Sequence, residues 1–228
     1  MLLFFSHEIQ NNQIILRDEE HQHCSKVLRK KTGDSIHITD GKGNLYDSII
    51  ISSDKNQTVC QVQDQTHTPK KFADVSIGIA PTKNASRIEW FAEKAVEIGI
   101  TTIYILITDR TEKKSDNITR LQKIVLSAAK QSLSMYLPEI KVVTMKHLSD
   151  IYSQYQQKFI AHCDGPTVIL KDIHHKSETA LVLIGPEGDF TDKEIDFAKQ
   201  LGFQPVSLGE SRLRTETAGL VALMMMRY

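Results

Sequence analysis

Over roughly the first seventy residues, apolar and polar positions alternate in short runs. Beyond them come longer blocks, apolar throughout or apolar at helical spacing. The early runs predict a β-rich unit with strands at Gln13 to Arg17, Asp34 to Thr39, Leu45 to Ser52 and Thr58 to Val62, and with Asp40-Gly41-Lys42-Gly43 as a hairpin-type turn. One helix, Glu19 to Leu28, interrupts these strands. The polar stretch Asp64 to Lys71, which carries Pro69, reads as a linker.

The later blocks alternate in kind. Val75 to Ala80 is a buried-type strand. Ser86 to Ile98 is a helix with Ile88, Phe91, Ala92, Ala95 and Ile98 on one face and Gly99 as its stop. Thr102 to Ile107 is a strand, Asn117 to Leu133 a long amphipathic helix with Pro138 beyond it, and Lys158 to His162 and Ala180 to Ile184 are further strands. A helix from Asp192 to Leu201, a strand at Pro205 to Leu208 and a helix from Thr215 onward complete the series. Such alternation implies an α/β fold with a mostly parallel sheet covered on both faces. Two domains are expected, residues 1–70 and 71–228.

Composition narrows the function classes. The chain has 228 residues, 40% of them apolar, enough to bury a core in one large domain or two modest ones. Its 28 basic and 28 acidic residues cancel, so nucleic acid cannot be held by bulk charge and any contact needs a local patch. Lys26, Arg29, Lys30 and Lys31 supply one; equally, they can be the solvated carboxyl end of a helix, where the dipole favours cations. Three scattered cysteines form no disulfide framework. The start, MLLFFSHEIQ, lacks a cationic leader region, and no apolar run reaches the ~18 residues of a membrane span, so the cytoplasm is expected.

Candidate chemistry gathers in two stretches, Leu183-Ile184-Gly185-Pro186-Glu187-Gly188-Asp189-Phe190 and Ser207 through Gly219. Each leaves a strand, passes a glycine-containing loop and enters a helix, which is the geometry of a site at the carboxyl ends of parallel strands. Gly185 and Gly188 permit close backbone approach to a ligand, or merely a tight turn. Thr191 with Glu194 forms a capping box. Arg212, Arg214 and Glu216 crowd the second connection, where charges are costly unless paired or used; a structural Arg–Glu pair is the plainer alternative, and Thr215 or Thr217 can cap the last helix. No dinucleotide fingerprint, phosphate loop or nucleophile elbow is present. His21, His23 and Cys24, His162-Cys163 and His174-His175 lack zinc spacing, so no metal is expected.

These stretches resemble the two C-terminal motifs of the RsmE family, ribosomal small-subunit RNA methyltransferases that modify N3 of one uracil, uracil-1498 in the enzyme name. His23 through Arg29 with Gly33-Asp34, Lys83 through Arg87 with Glu93 through Ile100, and Lys130-Gln131-Ser132 with Leu137-Pro138 resemble further motifs of that family in the same order. The resemblance implies a small N-terminal PUA-like β-barrel that binds RNA and a C-terminal SPOUT-type domain, a trefoil-knotted parallel sheet holding S-adenosylmethionine. It implies a homodimer, and 16S ribosomal RNA or the small ribosomal subunit as substrate. By the same resemblance, cofactor contacts are expected at His162, Leu183, Ile184, Gly185, Pro186, Glu187, Gly188, Leu208, Gly209, Leu213, Thr217 and Ala218. Arg214, backed by Arg212, is the first candidate for the chemistry, and Glu216 orients an arginine or accepts a proton. The chain departs from the family at Leu3, often arginine, at Lys130-Gln131-Ser132-Leu133-Ser134, commonly an acidic residue, Gln-Ser and then Gly-Arg, and at Asp189, frequently glycine. A catalytically silent RNA-binding protein, or a methyltransferase acting on another RNA or a small molecule, are the alternatives.

Overall fold

The computed structural model describes residues 2–111, 117–163, 165 and 168–228. The chain divides into two compact units, residues 1–70 with 129–137, and residues 71–128 with 138–228.

The first unit is a six-stranded sheet of β1 (Leu3–Phe5), β2 (Ile9–Gln10), β3 (Gln13–Arg17), β4 (Ser35–Thr39), β5 (Asn44–Ser53) and β6 (Gln57–His67), in the order β1-β4-β5-β6-β3-β2. The two edge strands are joined by residues 6–8 alone. Ser6 bonds to both sides, its N–H donating to Thr39 O at 3.1 Å and its hydroxyl to Ile15 O at 2.6 Å, so the sheet curls until its edges meet. Inside the barrel lie Ile14, Leu16, Ile36, Ile38 and Cys60, inward members of the expected strands, together with Phe4 of β1. Burial pushes the Cys60 thiol up to about 12, so it packs as a small apolar group.

Two expectations for this unit change. Residues Asp64 to His67 are strand, paired with Asn44 to Asp47, and not linker. On β6 these four residues are all exposed and carry no apolar alternation to betray them. The expected helix begins as α1 (Asp18–Gln22) and ends in a π-helical stretch, His23–Val27, where Leu28 N–H reaches His23 O at 3.0 Å. β1 was not anticipated; three residues give too little pattern.

The second unit carries six parallel strands: β7 (Val75–Ile79), β8 (Thr102–Ile107), β9 (Glu139–Thr144), β10 (Gln157–Ala161), β11 (Ala180–Ile184) and β12 (Gln204–Val206). Their order is β12-β10-β11-β7-β8-β9. β9 is an unforeseen edge strand, largely exposed and rich in charge. Helices α2 (Ala85–Ile98), α3 (Ile118–Gln131), α4 (Leu170–Ile173), α5 (Asp192–Gln200) and α6 (Thr215–Arg227) complete the fold. α2 starts with Asn84 capping Ser86 N–H and stops where Gly99 takes φ 96°, the left-handed turn that glycine permits. α5 opens with the Thr191–Glu194 capping box.

One core joins Leu106, Leu181, Leu183, Phe190, Ile195 and Phe203, with the hydroxyls of Tyr104 and Tyr155 hydrogen-bonded inside it at 3.0 Å. α6 packs on β7, β11 and α2. Gly219 makes that approach possible: a Cβ there would lie 2.6 Å from Phe91 Cε2 and 3.0 Å from Ile79 Cδ1. The result brings the carboxyl ends of β10, β11 and β12 side by side.

Candidate active site

The loops leaving those three strands enclose a cavity of about 660 Å3, within the ~300–1,000 Å3 of small-molecule and cofactor sites. The β10 loop contributes residues 161–163, the β11 loop residues 184–187 and 189, and the β12 loop and start of α6 residues 206–215 and 218. Hydrogen bonds between elements fix these walls. Thr215 Oγ1 donates to Gly185 O at 3.1 Å, tying the first turn of α6 to the β11 loop. That is this hydroxyl's role: the N-cap of α6 is Arg214, and no side chain caps the helix. Arg110, in the loop after β8, donates to Gly188 O at 2.6 Å and Phe190 O at 3.2 Å. Glu187 accepts from Lys83 N–H at 3.3 Å, fastening the same loop to the segment before α2.

Two glycines shape the cavity. Gly209 has φ 125° and open space where a Cβ would stand, so backbone alone forms that wall. At Gly185 a Cβ would press on the Phe190 ring at 3.1 and 3.2 Å.

Of the candidate cofactor residues, His162, Ile184, Gly185, Pro186, Glu187, Leu208, Gly209, Leu213 and Ala218 line the cavity, with Arg212 and Arg214. Leu183 is fully buried in the core. Gly188 borders a neighbouring cavity of about 450 Å3, and a Cβ there would face Arg110 Cδ at 3.5 Å. Thr217, partly buried in α6, is outside the lining.

Glu216 also stands outside the lining. It is buried on the first turn of α6, and its Oε1 lies 3.7 Å from Arg87 Nε of α2. Its Oε2 is buried without a hydrogen-bond partner among the described residues. An Arg–Glu pair therefore exists, but with Arg87 and not with either neighbouring arginine. Arg87, Arg110 and Lys83 are not among the expected site residues; for Lys83 and Arg87 the sequence offers one signal, their place in the central motif.

In the first unit, Lys26, Arg29 and Lys31 are exposed and Lys30 partly so. The chain turns sharply here, with Arg29 at φ 54°, Lys30 N–H on Cys24 O at 3.0 Å and Lys31 N–H on Asp34 Oδ2 at 2.9 Å. These bonds use backbone groups and leave the cationic heads at the surface. Among the described residues no cluster of three or more His, Cys, Asp or Glu could hold a metal, and no helix is long and apolar enough to cross a membrane.

Residues 68–227 match the model of an RNA methyltransferase domain, and residues 16–63 that of an RNA methyltransferase PUA domain. A Synechocystis protein named ribosomal RNA small subunit methyltransferase E is 30% identical, covering 92% of this chain and 71% of its own. The chain belongs to the RsmE family. The Aquifex aeolicus protein of the same name is 28% identical over 99% of both chains. Among solved structures, a probable rRNA-methyltransferase from Porphyromonas gingivalis is 38% identical with TM-score 0.89, covering 100% of this chain and 98% of its own. The RsmE protein of Neisseria gonorrhoeae, bound to S-adenosyl methionine, is 28% identical with TM-score 0.86, covering 99% and 96%. The fold is thus α/β of the SPOUT type with a PUA-like N-terminal unit.

Proposed function

We propose that this chain transfers the methyl group of S-adenosylmethionine to N3 of a uracil in 16S ribosomal RNA. The observation that carries the reading is the cavity at the ends of β10, β11 and β12, built from the motif loops of an RsmE-family chain. Its volume, its Gly209 backbone wall and its mixture of apolar and polar lining suit a nucleoside sulfonium. The residues proposed to hold it are His162, Ile184 to Glu187, Leu208, Gly209, Leu213 and Ala218. When bound, the cofactor supplies an electrophilic methyl group.

The chain's task is to orient uracil N3 and make loss of its proton tolerable. Deprotonation places negative charge on the ring and its carbonyl oxygens, and a preorganised cation stabilises that charge most where water is excluded. Arg214 has the best placement, exposed at the cavity mouth where the chain enters α6, with Arg212 two residues before it. Glu216 faces Arg87 and not the cavity; its proposed role is to hold an arginine. Replacing Glu216 with Gln is expected to lower kcat without changing the shape of the pH–rate profile. Loss of the acid limb, where the rate rises as one carboxyl group ionises, would instead make Glu216 the proton acceptor.

Lys26, Arg29, Lys30 and Lys31 are proposed as the RNA contact of the PUA-like unit. In a chain of zero formal charge, neutralising all four is expected to weaken RNA binding and flatten its dependence on salt, since fewer counterions are released. Cofactor affinity should hold. Equal slopes for wild type and the quadruple alanine variant would place RNA elsewhere.

A homodimer fits the surface: Trp90 on α2 and Met224 on α6 are large apolar side chains left 46% and 44% exposed on two helices that pack together. Sedimentation of the wild type and of Trp90→Glu tests this. An rRNA substrate and the absence of a membrane-length apolar helix among the described residues accord with the cytoplasm. Mapping the methylated positions of 16S RNA after incubation with the protein and cofactor tests the whole reading. Cofactor binding without transfer would favour a different acceptor, and RNA binding without cofactor affinity a silent binding module.

A further inference from the structure

We infer that Asp189 is a positioning residue that sets the size of the cofactor cavity by pinning the β10 loop to the β11 loop. The inference rests on the cofactor reading above. Asp189 is one of few non-glycine residues with a left-handed backbone, φ 61°, a conformation that costs an ordinary side chain roughly 1 kcal/mol or more. Its carboxylate accounts for its presence. Oδ1 accepts from Phe190 N–H at 2.8 Å, and Oδ2 accepts from Cys163 N–H at 2.8 Å, 26 residues away on the adjacent loop. Both are charge-assisted bonds to backbone amides.

The position of that link gives it a function. His162, Cys163, Asp189 and Arg212 border both the 660 Å3 cavity and the neighbouring 450 Å3 cavity, so they form the partition between the two. Apart from Arg212, the partition comes from the two loops that Asp189 joins. A glycine would accept the backbone angle without strain but would remove the bond from Cys163 N–H to Asp189 Oδ2, which spans the partition. Asp189 therefore exchanges backbone ease for a fixed wall.

The test compares Asp189→Gly and Asp189→Asn with wild type by calorimetry with S-adenosylhomocysteine, by thermal midpoint and by hydrogen exchange at the Cys163 amide. Asp189→Gly is expected to lower affinity by at least ~10-fold, the scale of one charge-assisted hydrogen bond. Its midpoint is expected to fall by only a few degrees, because relief of the left-handed angle offsets part of the two lost bonds. Asparagine tolerates that angle and keeps one acceptor oxygen, so Asp189→Asn should recover part of the affinity. KM for RNA is expected to stay within a factor of about two. Affinity of the glycine variant equal to wild type overturns the inference, as does an affinity loss in both variants that follows the thermal midpoint. If wild type binds no S-adenosylhomocysteine, the cofactor reading fails instead. Exchange then decides the link by itself: a Cys163 amide equally protected in wild type and Asp189→Gly overturns it, and protection lost only in the variant supports it.

Discussion

Arg214→Ala is expected to lower methyl transfer to RNA at least ~100-fold, the scale seen when one preorganised charge-stabilising group is removed from a reacting centre. The side chain leaves an extended backbone, φ −70° and ψ 154°, immediately before α6, so its root is fixed beside the cavity that it lines. Among the described residues no ion pair or hydrogen bond engages the guanidinium, in contrast with Arg87, which faces Glu216, and Arg110, which holds two carbonyls. Truncation should therefore leave the fold and most of the affinity for S-adenosylhomocysteine intact. Single-turnover kinetics with saturating cofactor measures the effect directly. Turnover near wild type would make Arg214 a surface charge and move the search to Arg212.

The largest expected effect on stability is at Gly219. In a helix interior, Gly→Ala ordinarily gains up to ~1 kcal/mol. Here the added methyl meets the Phe91 ring at 2.6 Å and Ile79 at 3.0 Å, both fully buried. Neither can swing into solvent, so overpacking at ~1–3 kcal/mol outweighs the propensity gain. For a protein of 228 residues each kcal/mol moves the midpoint by roughly 2–4 °C. Gly219→Ala is thus expected to melt several degrees lower, and Gly219→Val lower still. A midpoint at or above wild type would mean that α2 and α6 separate at little cost.

The elements most legible in the sequence are those buried on both faces. β7, β8 and β11 are nearly continuous apolar runs, and their spans follow from that alone. Solvated strands left less trace: Glu139 to Thr144 and Asp64 to His67 are held by backbone pairing with neighbours, which side-chain pattern does not record. Local chemistry at the site was readable where it was local. The partners of the Thr191–Glu194 box are three positions apart, and the two motif loops announce their turns with glycines. Contacts between distant segments were not. Nothing near Glu216 in sequence points to Arg87, nothing near Gly188 to Arg110, and Thr215 gives no sign that its hydroxyl serves Gly185 and not its own helix.

The place of β11 in the sheet also governs how the protein can be made. β7 is buried along its whole length and pairs with β8 on one side, but its other partner, β11, lies about one hundred residues downstream. A chain growing on the ribosome completes β7, β8 and β9 while one flank of an apolar strand remains an open pairing edge. Closure waits for β11, which alone links β7 to β10, and for α6, which returns over both β11 and β7. Folding is therefore a late, non-local event, slow by the loop closures it requires and open to wrong strand pairing until it is complete.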